Sequence, residues 1–451
     1  MVIDEGIIKN GITVDILAKL IEKHSAKISR YNFLYDYYKG NHRILQRRRS
    51  SEKIANNKVV CNHAKYITDM IQSYLAGNQV AYSPAEEYDI EPLKNAYLEQ
   101  DISSLDSEIV KKTSIYGRAY ELVYADGDSK PKSVFINPCQ AFVVYSDDCT
   151  HNPLFGVYYY KTFDLDGGIG GIVCNVYTDT QIFTYETSTD NWNDMMLTYE
   201  GNHFFGDVPL VECLNNSEKQ ADYEQVIPLI DAYNTLMSDR VNDKEQFVDA
   251  FLFLAGIDLD SETAKKLKEE HILIGYDKEA IAQYLSKVLS ESDIKVLRDD
   301  FKEDIHRFSM VPDLSDESFG NNLSGVAIKY KLLGFEQATK NKERYFTKFL
   351  KKRFELYNNF LTVKGQMANV PIHRVDIIFT RNLPVNELEI AQMISLLKDL
   401  VSQVTLLGQL KFVTDAEEEA KLAKEERIQK MKENADAANT YRNDVKYNEE
   451  E

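Results

Sequence analysis

The sequence predicts a multi-domain α+β protein, and three observations point there. Helical periodicity of three to four residues recurs near both ends of the chain and around residue 230. Between about 119 and 186 the period drops to two, in short runs divided by Asp-Gly, Asn-Pro and Gly-rich turns. A late apolar run, VDIIFTRNLP at 375–384, reads as a strand whose partners must come from far back in the chain. With 451 residues there is enough chain to bury a substantial core and to divide into two or more domains.

The elements follow in order. Residues 13–39 are a helix: Thr13 can cap it, Asp15 sits in the first turn, and Ile16, Leu20, Ile21, Ile28, Tyr31 and Leu34 form its stripe before Gly40. A basic, polar and loose stretch follows, with Arg47, Arg48 and Arg49 at its centre. A second helix spans about 62–75, and a third spans 92–115 with an interruption near 101–107. Strands are expected at 119–124, 132–136, 141–145, 154–161, 172–178 and 181–186, arranged as an antiparallel meander. DLDGGIGG (164–171) lacks the Lys-Ser/Thr end of a phosphate loop, and strand rather than helix follows it, so it reads as a hairpin loop.

Residues 222–250 form a long helix on Val226, Ile230, Tyr233, Met237 and Val241, with charge on the other side. A compact insert comes next: strand 251–256, helix 261–270, strand 271–275, helix 278–290 and strand 293–298. Helical periodicity resumes at 299–309 and breaks at Val311-Pro312, because Pro312 has no amide proton and restrains its predecessor. PDLSDESFGNNLSG (312–325) is a polar loop of turn formers. The longest helix runs from Gly325 to about Leu361, and another spans 386–410. Residues 415–451 hold twelve acidic and seven basic residues without a long apolar pattern, so a helix giving way to a frayed tail is expected.

Composition narrows the function. The chain is 43% hydrophobic and 28% charged, as globular proteins are. A formal charge of −19 argues against gripping nucleic acid over the whole surface, which needs clustered Lys and Arg, but suits a wall that a polyanion slides past. The 28 Tyr and 21 Phe beside one Trp fit either broad contacts between subunits or the compositional habit of an AT-rich genome. Five scattered cysteines with no CxxC pair read as reduced structural thiols. The start lacks a signal-peptide pattern and no apolar run reaches 18 residues, so neither secretion nor a membrane span is expected.

Chemistry is not legible. No HExxH, HxH, Cys/His pattern or GxSxG elbow is present, and Asp147-Asp148 and Asp299-Asp300 are adjacent pairs of the kind that 72 acidic residues produce freely. No ATP site is evident, so a partner must power any movement of a ligand. The Arg47–Arg49 patch suits a nucleic-acid contact, an acidic partner or a wetted surface.

Four stretches together carry a resemblance: NNKVVCNHAKYITDMIQSYLAGNQVAYS (56–83), YNTLMSDRVNDKEQFVDAFLFLAG (233–256), IHRFSMVPDLSDESFGNNLSGVAIKYKLLGFE (305–336) and IIFTRNLPVNELEIAQMISLL (377–397). In order and spacing they resemble the portal proteins of the SPP1-like group of tailed phages. The resemblance implies a portal fold of wing, long-helix stem, small α/β clip and helical crown, assembled as a dodecameric ring at one capsid vertex. It implies a wing at 1–221, stem helices at 222–250 and 299–311, and a clip at 251–298. A tunnel loop at 312–325 would face the DNA, with a long helix at 326–361, a strand returning to the wing at 362–385, and crown helices and charged tail at 386–451.

The implied protein is not an enzyme and carries no cofactor or metal. Double-stranded DNA would pass through it without sequence specificity. Its partners would be further copies of itself, the terminase large subunit, a head-completion or adaptor protein, and the major capsid and scaffolding proteins. No membrane is involved; the site is the portal vertex of the virion, reached through the host cytoplasm. Asp313, Asp316, Glu317, Asn321 and Asn322 would form an acidic, polar collar around the channel, while Arg47, Arg48 and Arg49 would lie at the outer wing, away from the bore. Without the resemblance, a connector of another assembly and a nucleic-acid enzyme with no recognisable motif fit the residues as well.

Overall fold

Leu17, Leu20 and Ile21 lie on one stripe of helix α1 (Val14–Lys39) and bury themselves against a sheet. That sheet has six strands in the order β1 (Val2–Ile3), β5 (Ala141–Ser146), β6 (Pro153–Phe163), β7 (Ile169–Tyr177), β8 (Gln181–Thr187) and β9 (Met196–Asn202). From β5 to β9 it is an antiparallel meander, and β1 adds in parallel to β5. The computed structural model describes residues 1–9, 11–49, 55–165, 167–248, 251–255, 281–285, 291–315, 328, 330–381, 387–410, 413 and 415–447. These form two compact units: Met1–Ser29 with Asp69–Gln220 and Leu314–Glu451, and Arg30–Thr68 with Ala221–Asp313.

Strand alternation builds the first unit in layers. In β5, Phe142 and Val144 face the α1 side, while Ala141 and Val143 face a second sheet, so the strand is apolar on both faces. That sheet is β10 (Leu210–Leu214), β3 (Arg118–Ala125) and β4 (Pro131–Ile136), all antiparallel. In β3, Tyr120 and Leu122 join the layer between the sheets, whereas Ala119 and Val123 face a core of helices. Those helices are α3 (Glu91–Leu98), α4 (Ile102–Tyr116) and α7 (Leu333–Val363), the last supplying Phe346, Phe349, Leu350, Phe354 and Tyr357. The late strand is β13 (Val375–Ile378), and it pairs antiparallel with β2 (Ala81–Pro84), its distant partner.

Glu121 sits on the helix-facing side of β3 between Ala119 and Val123, and a carboxylate there needs a partner. Arg353 of α7 supplies it, fully buried, donating from Nε at 2.8 Å and from Nη2 at 2.6 Å to Glu121 and from Nη1 to Asp106 of α4 at 2.5 Å. The Phe349 ring lies 4.9 Å from the guanidinium. Burial raises the Asp106 carboxyl to about 6 against the pull of Arg353. Gly117 makes the entry into β3: its φ is +80° and an added Cβ would fall 2.1 Å from the Lys219 carbonyl oxygen.

The second unit contains the end of α1, helix α2 (His63–Ala76) up to Thr68, and helices α5 (Ile227–Val248) and α6 (Glu291–Ser309) side by side. Strand β11 (Phe251–Ala255) leaves α5 and pairs antiparallel with β12 (Ile281–Leu285), which precedes α6.

Several expectations change. The meander loses β3 and β4 to the second sheet, and the strands β1, β2, β9 and β10 were not anticipated. The break between α3 and α4 falls at 99–101, where Asp101 takes a left-handed φ of 52° and caps α4 by accepting the Ser104 N–H. The helix expected at 278–290 is strand at 281–285: Ile281, Tyr284 and Leu285 mimic helical spacing, but pairing with β11 satisfies the backbone. The strand expected at 293–298 belongs to α6, which starts eight residues earlier than read, because Ile294, Leu297, Phe301 and Ile305 continue the period of three and four. Within the described residues, the long helix forms α7 from Leu333. The helix at 386–410 divides into α8 (Glu387–Leu397) and α9 (Gln403–Leu407), where Ser402 accepts the Thr405 N–H. The helix expected at the start of the charged tail is α10 (Ala416–Tyr447) and runs on where fraying was expected, with Glu417–Lys421 and Glu426–Lys430 at the spacing that supports a solvated helix. The helix and strand expected at 261–270 and 271–275 lie outside the described residues.

Candidate functional site

In the second unit, α6 ends at Ser309, and Met310 turns the chain with a left-handed φ of 57°. Each of the next three residues is then held by a different side chain. His306 Nδ1–H donates to the Val311 carbonyl at 2.9 Å, the Tyr66 hydroxyl donates to the Pro312 carbonyl at 2.9 Å, and Lys302 forms an ion pair with Asp313. Pro312 cannot donate, so at that residue only the carbonyl can be gripped, while the Val311 N–H also donates to Ser309 Oγ at 3.4 Å.

His63 completes the clamp. Its ring meets His306 edge-on at 5.6 Å and Tyr233 at 5.0 Å, and Tyr66 meets His306 at 5.4 Å. Burial pushes His63 down to about 4, helped by the nearby His306 and Lys302 and only partly opposed by Asp313. Burial also lowers His306. Both imidazoles are therefore neutral at pH 7.

A second set of polar groups ties α2's approach to α5. Asn234, Ser238 and Asn242 recur every four residues on α5 and are all buried. Asn234 Oδ1 accepts the Cys61 N–H at 2.8 Å, Ser238 Oγ the Val59 N–H at 2.9 Å, and Asn242 Oδ1 the Asn57 N–H at 2.6 Å. Alternate amides of the chain thus climb one face of the helix, satisfying backbone groups that no sheet partner reaches. His42 joins at one end, accepting from Asn234 Nδ2 at 2.8 Å while its Nε2–H donates to the Tyr37 carbonyl at 2.9 Å.

The basic stretch is less loose than its composition suggests. Asp239 of α5 accepts from Arg47 at 2.7 Å and from Arg49 at 2.8 Å, and Arg47 also donates to the Asn57 carbonyl at 2.9 Å. Arg48 is exposed beside them. Of the five residues of the expected collar, Asp313 sits in the clamp; Asp316, Glu317, Asn321 and Asn322 lie outside the described residues. Among the described residues no group of three or more His, Cys, Asp or Glu is placed to hold a metal, and no helix is long and apolar enough to cross a membrane. What the clamp and ladder do is mechanical: the clamp fixes residues 311–313 to α2 and α6, and the ladder fixes residues 57–61 to α5.

The comparisons with known proteins bear on the whole chain. Residues 17–433 match the family model described as phage portal protein, SPP1 Gp6-like. The chain belongs to that portal family. It is 23% identical over 437 residues to the portal protein of Bacillus phage SPP1, covering 91% of this chain and 86% of that one. It is 28% identical over 231 residues to the portal protein of Clostridium phage phiCD119, half of each chain. Among solved structures it is similar to chains of the neck of an empty gene transfer agent particle (11% identity, TM-score 0.45, 80% of this chain and 90% of that one). It is also similar to a chain of a native gene transfer agent virion (9% identity, TM-score 0.44, 76% and 88%).

In this portal-family chain, sequence reasoning named the break at Val311-Pro312 but missed the clamp that holds it. His63, Tyr66 and His306 are single residues with no motif around them. The ladder left a faint signal, Asn-x3-Ser-x3-Asn from 234 to 242, inside what reads as the ordinary polar side of a helix.

Proposed function

We propose that this chain assembles into a dodecameric ring at one capsid vertex, where it forms the channel for packaging, retaining and ejecting double-stranded DNA. The match to the portal family over residues 17–433 carries this reading. On it, α5 and α6 are the stem, β11 and β12 belong to the clip that docks the terminase motor and later the head-completion proteins, and the segment after Pro312 is the tunnel loop. Residues 1–221 and the returning strand β13 are the wing, and the helices from α8 onward the crown and tail. Capsid and scaffolding proteins meet the outside, and Arg47, Arg48 and Arg49 stay away from the bore. The chain works without catalytic groups or cofactors of its own; the motor powers movement.

The clamp gives the loop a fixed base. With Val311, Pro312 and Asp313 held, conformational change is confined to residues beyond them. Asp316 and Glu317, repeated around a ring, would repel phosphate and keep the duplex centred without lasting contacts. Asp313 belongs to the base rather than to the collar.

The test is Asp316→Lys with Glu317→Lys, leaving Asp313 in its ion pair. Assembled rings, seen by electron microscopy with a hole wide enough for a duplex, are expected in normal yield. Packaging should slow, more so at low salt, because new phosphate contacts must be broken repeatedly and salt screens them. Unaltered packaging at two salt concentrations would take these carboxylates off the DNA path, and a protein that never forms rings would remove the portal-channel reading.

A further inference from the structure

The first unit carries an apolar knob and an apolar hole at opposite ends of one sheet. The knob is the tip of the β6–β7 hairpin, where Leu165 is fully exposed and Phe163 is 66% exposed. The hole is a cavity of about 510 Å³ lined by Tyr177, Ile182, Phe204, Phe205, Phe360 and Val363. Tyr177 and Ile182 face each other where β7 ends and β8 begins. In β6, Gly156 is level with Tyr177, and Phe163 lies seven residues further on, roughly 23 Å away along an extended strand. Knob and hole of one chain therefore cannot meet.

We infer that the hole receives the hairpin tip of a second copy of this chain, in a head-to-tail contact. The size fits: the cavity lies within the roughly 300–1,000 Å³ that holds a ligand-sized group, enough for a leucine with a phenylalanine beside it. The charge fits as well. Asp164 and Asp166 flank Leu165 in the sequence, and Lys364 stands at the hole. Lys364 donates to the Ser129 carbonyl at 2.7 Å and lies 5.9 Å from the centre of the Phe360 ring, a neutral setting that leaves its charge for a partner's carboxylate. Two different patches that complement each other form a heterologous interface, which repeats until it closes into a ring. Exposed apolar groups at the tip and around the hole, including Phe204 and Val363, are then buried in the assembly.

This contact rests on the ring reading above, and cysteine cross-linking separates the two. Leu165→Cys is combined with Val363→Cys, and in a second variant with Phe204→Cys on another exposed position of the hole. The five natural cysteines remain, so each single substitution sets the background. A disulfide needs Cα atoms within about 7 Å, which one chain cannot provide here but neighbours in the ring can. Oxidised rings should run as a ladder of covalent multimers on a non-reducing gel, at least about tenfold above either single variant. Rings of normal size by sedimentation, with no ladder from either pair, would overturn the contact and leave the ring. Absence of rings in the unsubstituted protein would overturn both.

Discussion

Arg353, buried in the first unit, and the half-buried His63–His306 pair of the second are both polar groups gripped by residues distant in sequence, yet they are held differently. Arg353 keeps its charge under all ordinary conditions and faces two carboxylates inside a helical core. The two histidines are neutral and meet through ring edges, and His306 donates to the Val311 carbonyl. One arrangement is fixed by charge that cannot leave; the other depends on protons that have not arrived. A charge triad suits a core packed on every side, and a neutral imidazole pair suits a root held by a few single contacts.

The largest effect should come from breaking the triad. Arg353→Met strands Glu121 and Asp106 in the core and is expected to cost about 3–5 kcal/mol in denaturant unfolding. A loss under about 1 kcal/mol would mean that the triad does not organise this core. Next comes the ladder: Ser238→Ala leaves the Val59 N–H without its acceptor and should cost about 1–3 kcal/mol. Faster amide exchange at residues 57–61 is the local sign, and unchanged exchange would show that water replaces the hydroxyl without penalty.

The third effect is smaller and separates the two regions by sign. The folded pKa of His63 is depressed, so its contribution to stability is present above the ordinary histidine value near 6.5 and is lost as pH falls toward about 4. Asp106 runs the other way: its folded pKa is raised, so its contribution is full below the usual carboxyl range and is lost as pH rises through about 6. His24, buried in the first unit and likewise lowered to about 4, also responds to acid, so the measurement must be local. Hydrogen exchange in peptides covering 306–315 should speed up several-fold from pH 7 to pH 5 after correction for intrinsic rates. His63→Phe should flatten that response. A response that survives the substitution would assign it to His306 alone.

How much of this was legible depends on whether a signal repeats. The stripe of α1 and the alternation of β5 to β8 each repeat several times, so chance disorder in the pattern averages out. The five residues of β12 offer one helical turn's worth of evidence, and IAQYL satisfies both periods; only the partner strand decides. In α6, Ile294 and Val296 imitate alternation locally, while the true period appears only when Phe301 and Ile305 are counted with them. The break after α6 was legible because Pro312 is chemically loud; most of the loop expected at 312–325 lies outside the described residues. Its clamp was not, because His63 and Tyr66 come from α2, far from His306 in the chain, and a contact between distant single residues leaves no trace in spacing.

The three rungs between residues 57–61 and α5 work as a vernier, two scales ruled at nearly equal intervals. Four residues of helix advance about 6.0 Å, and two residues of extended chain about 6.6 Å. With the Val59–Ser238 rung in phase, its neighbours are each out by roughly 0.6 Å, which hydrogen bonds absorb, whereas the next rung would be out by roughly 1.2 Å. At that position, level with His63, α5 carries Ile230 and offers no acceptor. The mismatch limits how far an extended chain can follow a helix. Where the scales drift out of step the chain must leave α5, and it does so by turning into α2, the helix that carries His63 and Tyr66 to the loop.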